Sequence, residues 1–237
     1  MPTPLAVPGA HEKAIIPRIS IFVTMHRKTF CIFDLDGTLF DTLGDLARAV
    51  NAALAKHNAP AHTEEEIRSF IGNGSMNLIR RSIGDFPVDL QSVFDTYMEI
   101  YSRNCTEHTH PMPGVPEFLE ARKCRMALLT NKPSVPTHRI LDHFGFEKYF
   151  ETVLCGDTSP ARKPAPDGFV QIISKTGIPK EEILMVGDDS PDIQGAKAAG
   201  IDSMFIGNGY GKIENCAPVM PNYMISKFSD LLKLPIF

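Results

Sequence analysis

The sequence predicts an α/β protein: a Rossmann-like, doubly wound parallel sheet core with an inserted all-helical domain. Three observations carry that expectation. Short apolar runs alternate with helix-length amphipathic patterns over the C-terminal half, as in strand–helix units that cover both faces of a parallel sheet. Between residues 43 and 103 the apolar spacing is helical, with no convincing strand. The first strong apolar run, Phe30-Cys31-Ile32-Phe33, ends in Asp34-Leu35-Asp36-Gly37-Thr38, where a buried strand would emerge into a loop.

Residues 1–24 read as an N-terminal extension. Their apolar stretch, Ile15 to Val23, is broken by Pro17, Arg18 and Ser20, and the small pair Gly9-Ala10 precedes it, so a signal peptide is not expected. Met25-His26-Arg27-Lys28 reads as a natural start before the first strand. Beyond the first motif, Leu43, Leu46, Ala47, Val50, Ala53 and Leu54 recur at helical intervals. Thr63-Glu64-Glu65-Glu66 has the form of a capping box and should open a second helix. Gly72-Asn73-Gly74 marks a turn, after which Ser75 is expected to cap a third helix running to about Ile83. Val93, Phe94, Tyr97, Met98 and Tyr101 line one face of a fourth.

The prolines of Pro111-Met112-Pro113-Gly114 suit a stiff connection back to the sheet. The expected organisation is therefore a core of residues 25–42 and 112–237 and a helical insert of residues 43–111, hinged at Asp41-Thr42 and Met112-Pro113. In the core, Met126-Ala127-Leu128-Leu129 leads into Thr130-Asn131, and Val153-Leu154-Cys155 into Gly156-Asp157. Ile183-Leu184-Met185-Val186 leads into Gly187-Asp188, and Met204-Phe205-Ile206 into Gly207. Helical patterns between them include Gly168 to Thr176 and Ile193 to Ala199, with Gly200 placed for a left-handed C-cap. Ligands of such sheets collect at the carboxyl ends of the strands, where these polar residues fall.

Composition narrows the function classes. The chain has 237 residues, is 43% hydrophobic and 22% charged, and carries a formal net charge of -4, so no general electrostatic case for nucleic acid arises. No stretch approaches a membrane span. The five cysteines are scattered without a Cys-x-x-Cys pair, which argues against a zinc site or disulfide framework and for a reduced, cytoplasmic setting. Neither the sequence nor its composition fixes an oligomeric state.

Four motifs in order, Asp34-x-Asp36-Gly37-Thr38, Thr130-Asn131, Lys163-Pro164 and Gly187-Asp188-x-x-x-Asp192, resemble those of the haloacid dehalogenase superfamily. More narrowly the chain resembles its phosphatase branch, with a helical cap inserted after the first motif. The resemblance implies roles for each residue. Asp34 would be the nucleophile forming an aspartyl-phosphate, and Asp36 the acid that protonates the leaving alkoxide and then activates water. Asp36 would also offer its backbone carbonyl to the cation. Thr130 would hydrogen-bond a phosphoryl oxygen, and Lys163 would offset charge on Asp34 and the phosphoryl group. Asp188 would ligate Mg²⁺, and Asp192 would ligate it or hold its ligands from behind. Hard oxygen donors suit Mg²⁺ rather than zinc. Ser190-Pro191 is expected to be the N-cap and first residue of a helix that carries Asp192 in its first turn. The plainer reading of Asp189 and Asp192, as complements to a helix dipole, stands on its own only without the other motifs.

The second acid, Asp36, points to an oxygen leaving group, since a halide needs no proton. Phe70-Ile71-Gly72-Asn73-Gly74 and Thr130-Asn131-Lys132-Pro133 are similar to the corresponding loops of phosphoglycolate phosphatases. The resemblance implies a small phosphorylated metabolite, with Gly37, Asn73, Gly74, Asn131 and Arg80 as candidate substrate contacts. Arg81 is the alternative to Arg80, and Asn131 and Lys132 also have ordinary turn chemistry. A sugar phosphomutase, or a phosphatase for sugar phosphates, pyrophosphate or nucleotides, stays open at this stage, as does a non-catalytic binding module. His108-Thr109-His110 has metal-like spacing but no apparent partner and reads as ordinary loop.

Overall fold

Phe30, Cys31, Ile32 and Phe33 have no exposed surface and form β1 (Phe30–Phe33), a central strand. The computed structural model describes residues 27–121 and 123–237, so the reading of residues 1–24 as an extension lies outside the described residues. On one side β1 pairs with β4 (Arg125–Leu129), which pairs with β5 (Thr152–Leu154). On the other it pairs with β6 (Ile183–Gly187), followed by β7 (Asp202–Ile206) and β8 (Tyr223–Ile225). All pairs are parallel and the order is β5-β4-β1-β6-β7-β8, the doubly wound core read from the sequence.

Alternation along the strands separates two apolar layers. Cys31, Phe33, Met126, Leu128, Leu184 and Val186 pack with Phe118 of α5 (Val115–Ala121), Ile140 and Leu141 of α6 (Ser134–His143), and Phe228 of a C-terminal 3-10 segment. Phe30, Ile32, Ala127, Leu129, Ile183 and Met185 pack with Phe169 and Ile172 of α7 (Asp167–Thr176) and Ala196 of α8 (Ser190–Ala199). Each such side chain, fully buried, contributes ~1.5–3 kcal/mol. That reserve is what lets the strand ends carry buried carboxylates.

The insert is helical as expected: α1 (Leu43–Lys56), α2 (Glu64–Phe70), α3 (Ser75–Ile83) and α4 (Leu90–Asn104). Thr63 caps α2 by a complete capping box, with Thr63 N donating to Glu66 Oε2 at 2.7 Å and Glu66 N to Thr63 Oγ1 at 3.3 Å. At α3 the expectation is corrected. Gly74, not Ser75, is the N-cap, at φ 83 and ψ 160, and no side chain caps the helix. A positive φ there excludes the usual capping residues and admits glycine.

The chain enters and leaves the insert at one place. β2 (Phe40–Asp41) and β3 (His110–Pro111) pair antiparallel, and Met112 N donates to Leu39 O at 2.9 Å. This ribbon sits at the two expected hinges; elements of two residues are too short to show a hydrophobic period. His108 and Thr109 use their backbone N–H groups to bind the buried Asp45 carboxylate of α1, at 2.9 and 2.8 Å, so this stretch anchors the exit of the insert. Among the described residues no helix is long and apolar enough to cross a membrane, and the five cysteines are free thiols.

Candidate active site

Three adjacent strands, β4, β1 and β6, end side by side, so Thr130, Asp34 and Asp188 emerge together at the carboxyl edge of the sheet. After β1 the chain folds back at once. Leu35 O accepts the N–H groups of Thr38, Leu39 and Phe40 at 3.3, 3.0 and 3.0 Å. Gly37 takes φ +77, and a Cβ there would collide with the Asp188 carboxylate. Gly37 thus makes room for the site without lining its cavity.

Asp34, Asp188 and Asp192 place carboxylate oxygens within 4.8 Å of one another. Lys163, from the loop between β5 and α7, brings its ammonium 2.9 Å from Asp34 Oδ1 and 2.6 Å from Asp192 Oδ1, and donates to Leu129 O at 2.7 Å. Asp34 Oδ1 is buried, and the Lys163 ammonium is the cation it faces. Asp188 accepts from the Thr38 hydroxyl at 2.6 Å and from Tyr210 N at 2.7 Å. Burial, followed by the charge of Asp34, still pushes its carboxyl up to about 7. Burial also raises Asp192 well above the carboxylate range, against the pull of Lys163. Burial disfavours the Lys163 ammonium, yet Asp192 and Asp34 outweigh it and hold its pKa above the ordinary value.

Three carboxylates facing one ammonium leave this cluster short of positive charge. A hard divalent cation fits the deficit and the all-oxygen donor set. Asp192 owes its place to α8, but the cap is not Ser190 as expected. Asp189 is the N-cap, and Asp192 is the N3 residue of its capping box, with Asp189 N donating to Asp192 Oδ2 at 3.2 Å. Asp192 therefore closes the helix end with one oxygen and faces Lys163 with the other.

Asp36 stands outside this group of three carboxylates. Its Oδ1 accepts from Thr42 Oγ1 at 2.7 Å and from Lys132 Nζ at 2.8 Å. Asn131 lines the cavity, but its amide is engaged in ties between loops. It donates to Gly72 O at 3.0 Å and Lys163 O at 2.9 Å, and accepts from Lys163 N at 2.9 Å. Thr130 is buried and lines the cavity beside it.

The cavity, about 520 Å³, lies between these strand ends and the insert, with Asn73 and Gly74 in its wall. Arg80 is not in that wall. Its guanidinium binds Asn77 Oδ1 on the exposed side of α3, while its neighbour Arg81 lines the cavity and donates to Phe70 O at 2.9 Å. A helical rotation of one residue decides between them, and that depends on how α3 packs.

Tyr210 and Arg68 are among the lining residues that escaped sequence reasoning. Tyr210 follows β7, and its hydroxyl accepts from Thr42 N at 2.6 Å and Leu43 N at 2.9 Å and donates to Asp41 Oδ1 at 2.7 Å. Arg68 of α2 stacks over the Tyr210 ring at 5.7 Å and binds Gly209 O. The glycine-rich context Gly207-Asn208-Gly209-Tyr210-Gly211 was the available signal, since a lone aromatic among glycines marks a tight loop carrying one large side chain.

Fold and site define a class: a parallel α/β scaffold with a carboxylate cluster at its strand ends, beneath an inserted helical cover. The family described as haloacid dehalogenase-like hydrolase matches residues 31–206, and this chain belongs to that family. It is 37% identical over 216 residues to a phosphoglycolate phosphatase of Vibrio parahaemolyticus, covering 85% of this chain and 93% of the relative. It is 35% identical over 211 residues to phosphoglycolate phosphatase 1 of Pseudomonas aeruginosa, covering 85% and 77%. A crystal structure described as a predicted phosphoglycolate phosphatase, from Haemophilus somnus, superposes with a TM-score of 0.82 at 31% identity, covering 88% of this chain and 98% of that one.

Proposed function

We propose that this chain is a Mg²⁺-dependent phosphatase of small phosphate monoesters, acting through an aspartyl-phosphate, and that its substrate is 2-phosphoglycolate. The observation that carries the reading is one cavity lined by Asp34 and Asp188 of the carboxylate cluster and by a second acid, Asp36, held by Thr42 and Lys132. A phosphate monoester is dianionic near neutral pH and repels a carboxylate nucleophile. Mg²⁺, held by Asp34, Asp188 and Asp192 with the Asp36 backbone carbonyl, would supply the charge neutralisation that permits attack.

Asp34 attacks phosphorus as the bond to the leaving oxygen breaks, and Asp36 gives that oxygen a proton. Asp36 then takes a proton from the water that hydrolyses the aspartyl-phosphate, releasing phosphate and restoring Asp34. Thr130 donates to a phosphoryl oxygen, and Lys163 balances charge on Asp34 and the phosphoryl group. Residues 25–42 and 112–237 act as the catalytic core, and residues 43–111 as a cap that shields the reaction from bulk water. The free cysteines and the absence of an apolar spanning helix among the described residues support a reduced, cytoplasmic setting with a small-molecule partner. The named relatives support the choice of phosphoglycolate.

Phosphate release from a panel of esters tests the reading, with Mg²⁺, with chelator, and with Asp34→Asn as control. We expect kcat/KM for 2-phosphoglycolate to exceed that for every other ester by about tenfold or more, ~1.4 kcal/mol in transition-state binding. Activity should vanish with chelator and in the control. A preference for sugar phosphates, pyrophosphate or nucleotides discards the substrate, and no turnover of any ester discards the phosphatase.

A further inference from the structure

Lys132 is 3% exposed, yet it lines the cavity, where its charge is paired with Asp36. Its ammonium donates to Asp36 Oδ1 at 2.8 Å and to the Tyr101 hydroxyl at 2.5 Å, and lies 4.5 Å from the Tyr101 ring centroid. Tyr101 comes from α4 and stacks on Tyr97 at 5.4 Å, so the cation stands against a buried aromatic wall. A lysine ammonium has three donors. These two acceptors therefore leave one N–H uncommitted on a side chain that borders the cavity.

The other cations in the wall differ in kind. Arg68, Arg81 and Lys212 are exposed, Arg68 is held by Gly209 O and the Tyr210 ring, and Arg81 by Phe70 O. Water screens an exposed charge, whereas a buried one keeps most of its Coulomb strength. Lys132 is thus the cation in this wall best able to discriminate among anionic groups.

Resting on the phosphatase reading, we propose that Lys132 is a specificity-determining residue that binds a carboxylate carried next to the ester oxygen. The leaving oxygen must meet Asp36 to receive its proton. In a glycolate ester the carboxylate is one methylene beyond that oxygen, within reach of an ammonium bonded to the same Asp36. A leaving group without the carboxylate leaves the buried donor unmet and forfeits that contact, so selectivity arises from the poorer binding of the wrong ester.

The test compares kcat/KM for 2-phosphoglycolate with that for ethyl phosphate, a neutral leaving group of similar size. Wild type, K132M, K132Q and K132R are measured, with near-UV circular dichroism to establish folding. We expect the wild-type ratio to be high and to fall about hundredfold in K132M and K132Q. In K132R, which keeps the charge, the ratio should stay within about tenfold of wild type. If K132M and K132Q lower both esters alike, the ratio is unchanged and Lys132 serves only to position Asp36, which overturns the inference alone. A wild-type ratio near one overturns the choice of phosphoglycolate, and the inference with it.

Discussion

Asp188 shows what the site asks of a single residue. Its carboxyl sits at the end of a buried strand, and its ordinary value of 3.8 is raised to about 7 by burial first and Asp34 second. Between those values the folded chain holds a proton that the unfolded chain has released. The associated stability is full at the acid end of the window and is lost as pH rises through about 7. Asp192 and Asp189, both raised by burial, add in the same direction. Thermal melts in chelator should therefore fall in midpoint between about pH 5 and pH 7.5, and Mg²⁺ should flatten the decline. A midpoint that rises over this window would contradict the charge deficit assigned to the cluster. The meeting of Asp34, Lys163, Asp188 and Asp192 was legible in the sequence because two end strands, one sits in a loop and one opens a helix, each with its own signature. The choice of Arg81 over Arg80 was not, since rotation about a helix axis leaves no local trace, and Arg68, whose contacts cross elements, was missed.

Elements carry the coupling between the two parts of the molecule. The Tyr210 hydroxyl satisfies two N–H groups at the start of α1 while its own backbone N–H binds Asp188. One residue thereby joins the entrance of the helical insert to the carboxylate cluster. Tyr210→Phe keeps the ring and the backbone bond but orphans Thr42 N, while Leu43 N keeps Asp41 Oδ1 at 3.2 Å, a cost of about 1–3 kcal/mol. We expect a lower urea midpoint and a kcat/KM for the preferred ester reduced by about tenfold, with the metal dependence retained. Unchanged kinetics in a destabilised variant would reduce Tyr210 to a local prop. Periodicity read α1, α4 and five strands of the core, which bury regular faces; α2 was read from its capping box, and β8, with no buried residue, was missed. It misplaced the caps of α3 and α8 by one residue. Those positions were settled by a positive φ at Gly74 and by a carboxylate pair at Asp189 and Asp192.

At the scale of the whole molecule, a cation bound at the proposed site would be a ligand of the folded chain alone. Mg²⁺ at about 100 times its dissociation constant should stabilise the folded chain by ~2.7 kcal/mol. For a chain of this size that is a rise of about 5–10 °C in Tm, and Asp188→Asn should abolish most of it. The parallel sheet was legible as a whole because strand and helix alternate; the ribbon β2–β3 was not, at two residues a side. That ribbon has a further consequence. The insert leaves and rejoins the sheet at neighbouring, hydrogen-bonded positions, so in space the interruption closes on itself. Its length and content can then vary without moving the ends of β1, β4 or β6. The helical insert and the sheet that carries the carboxylates are thereby written in separable stretches of one chain, and the first can be rewritten while the second stands.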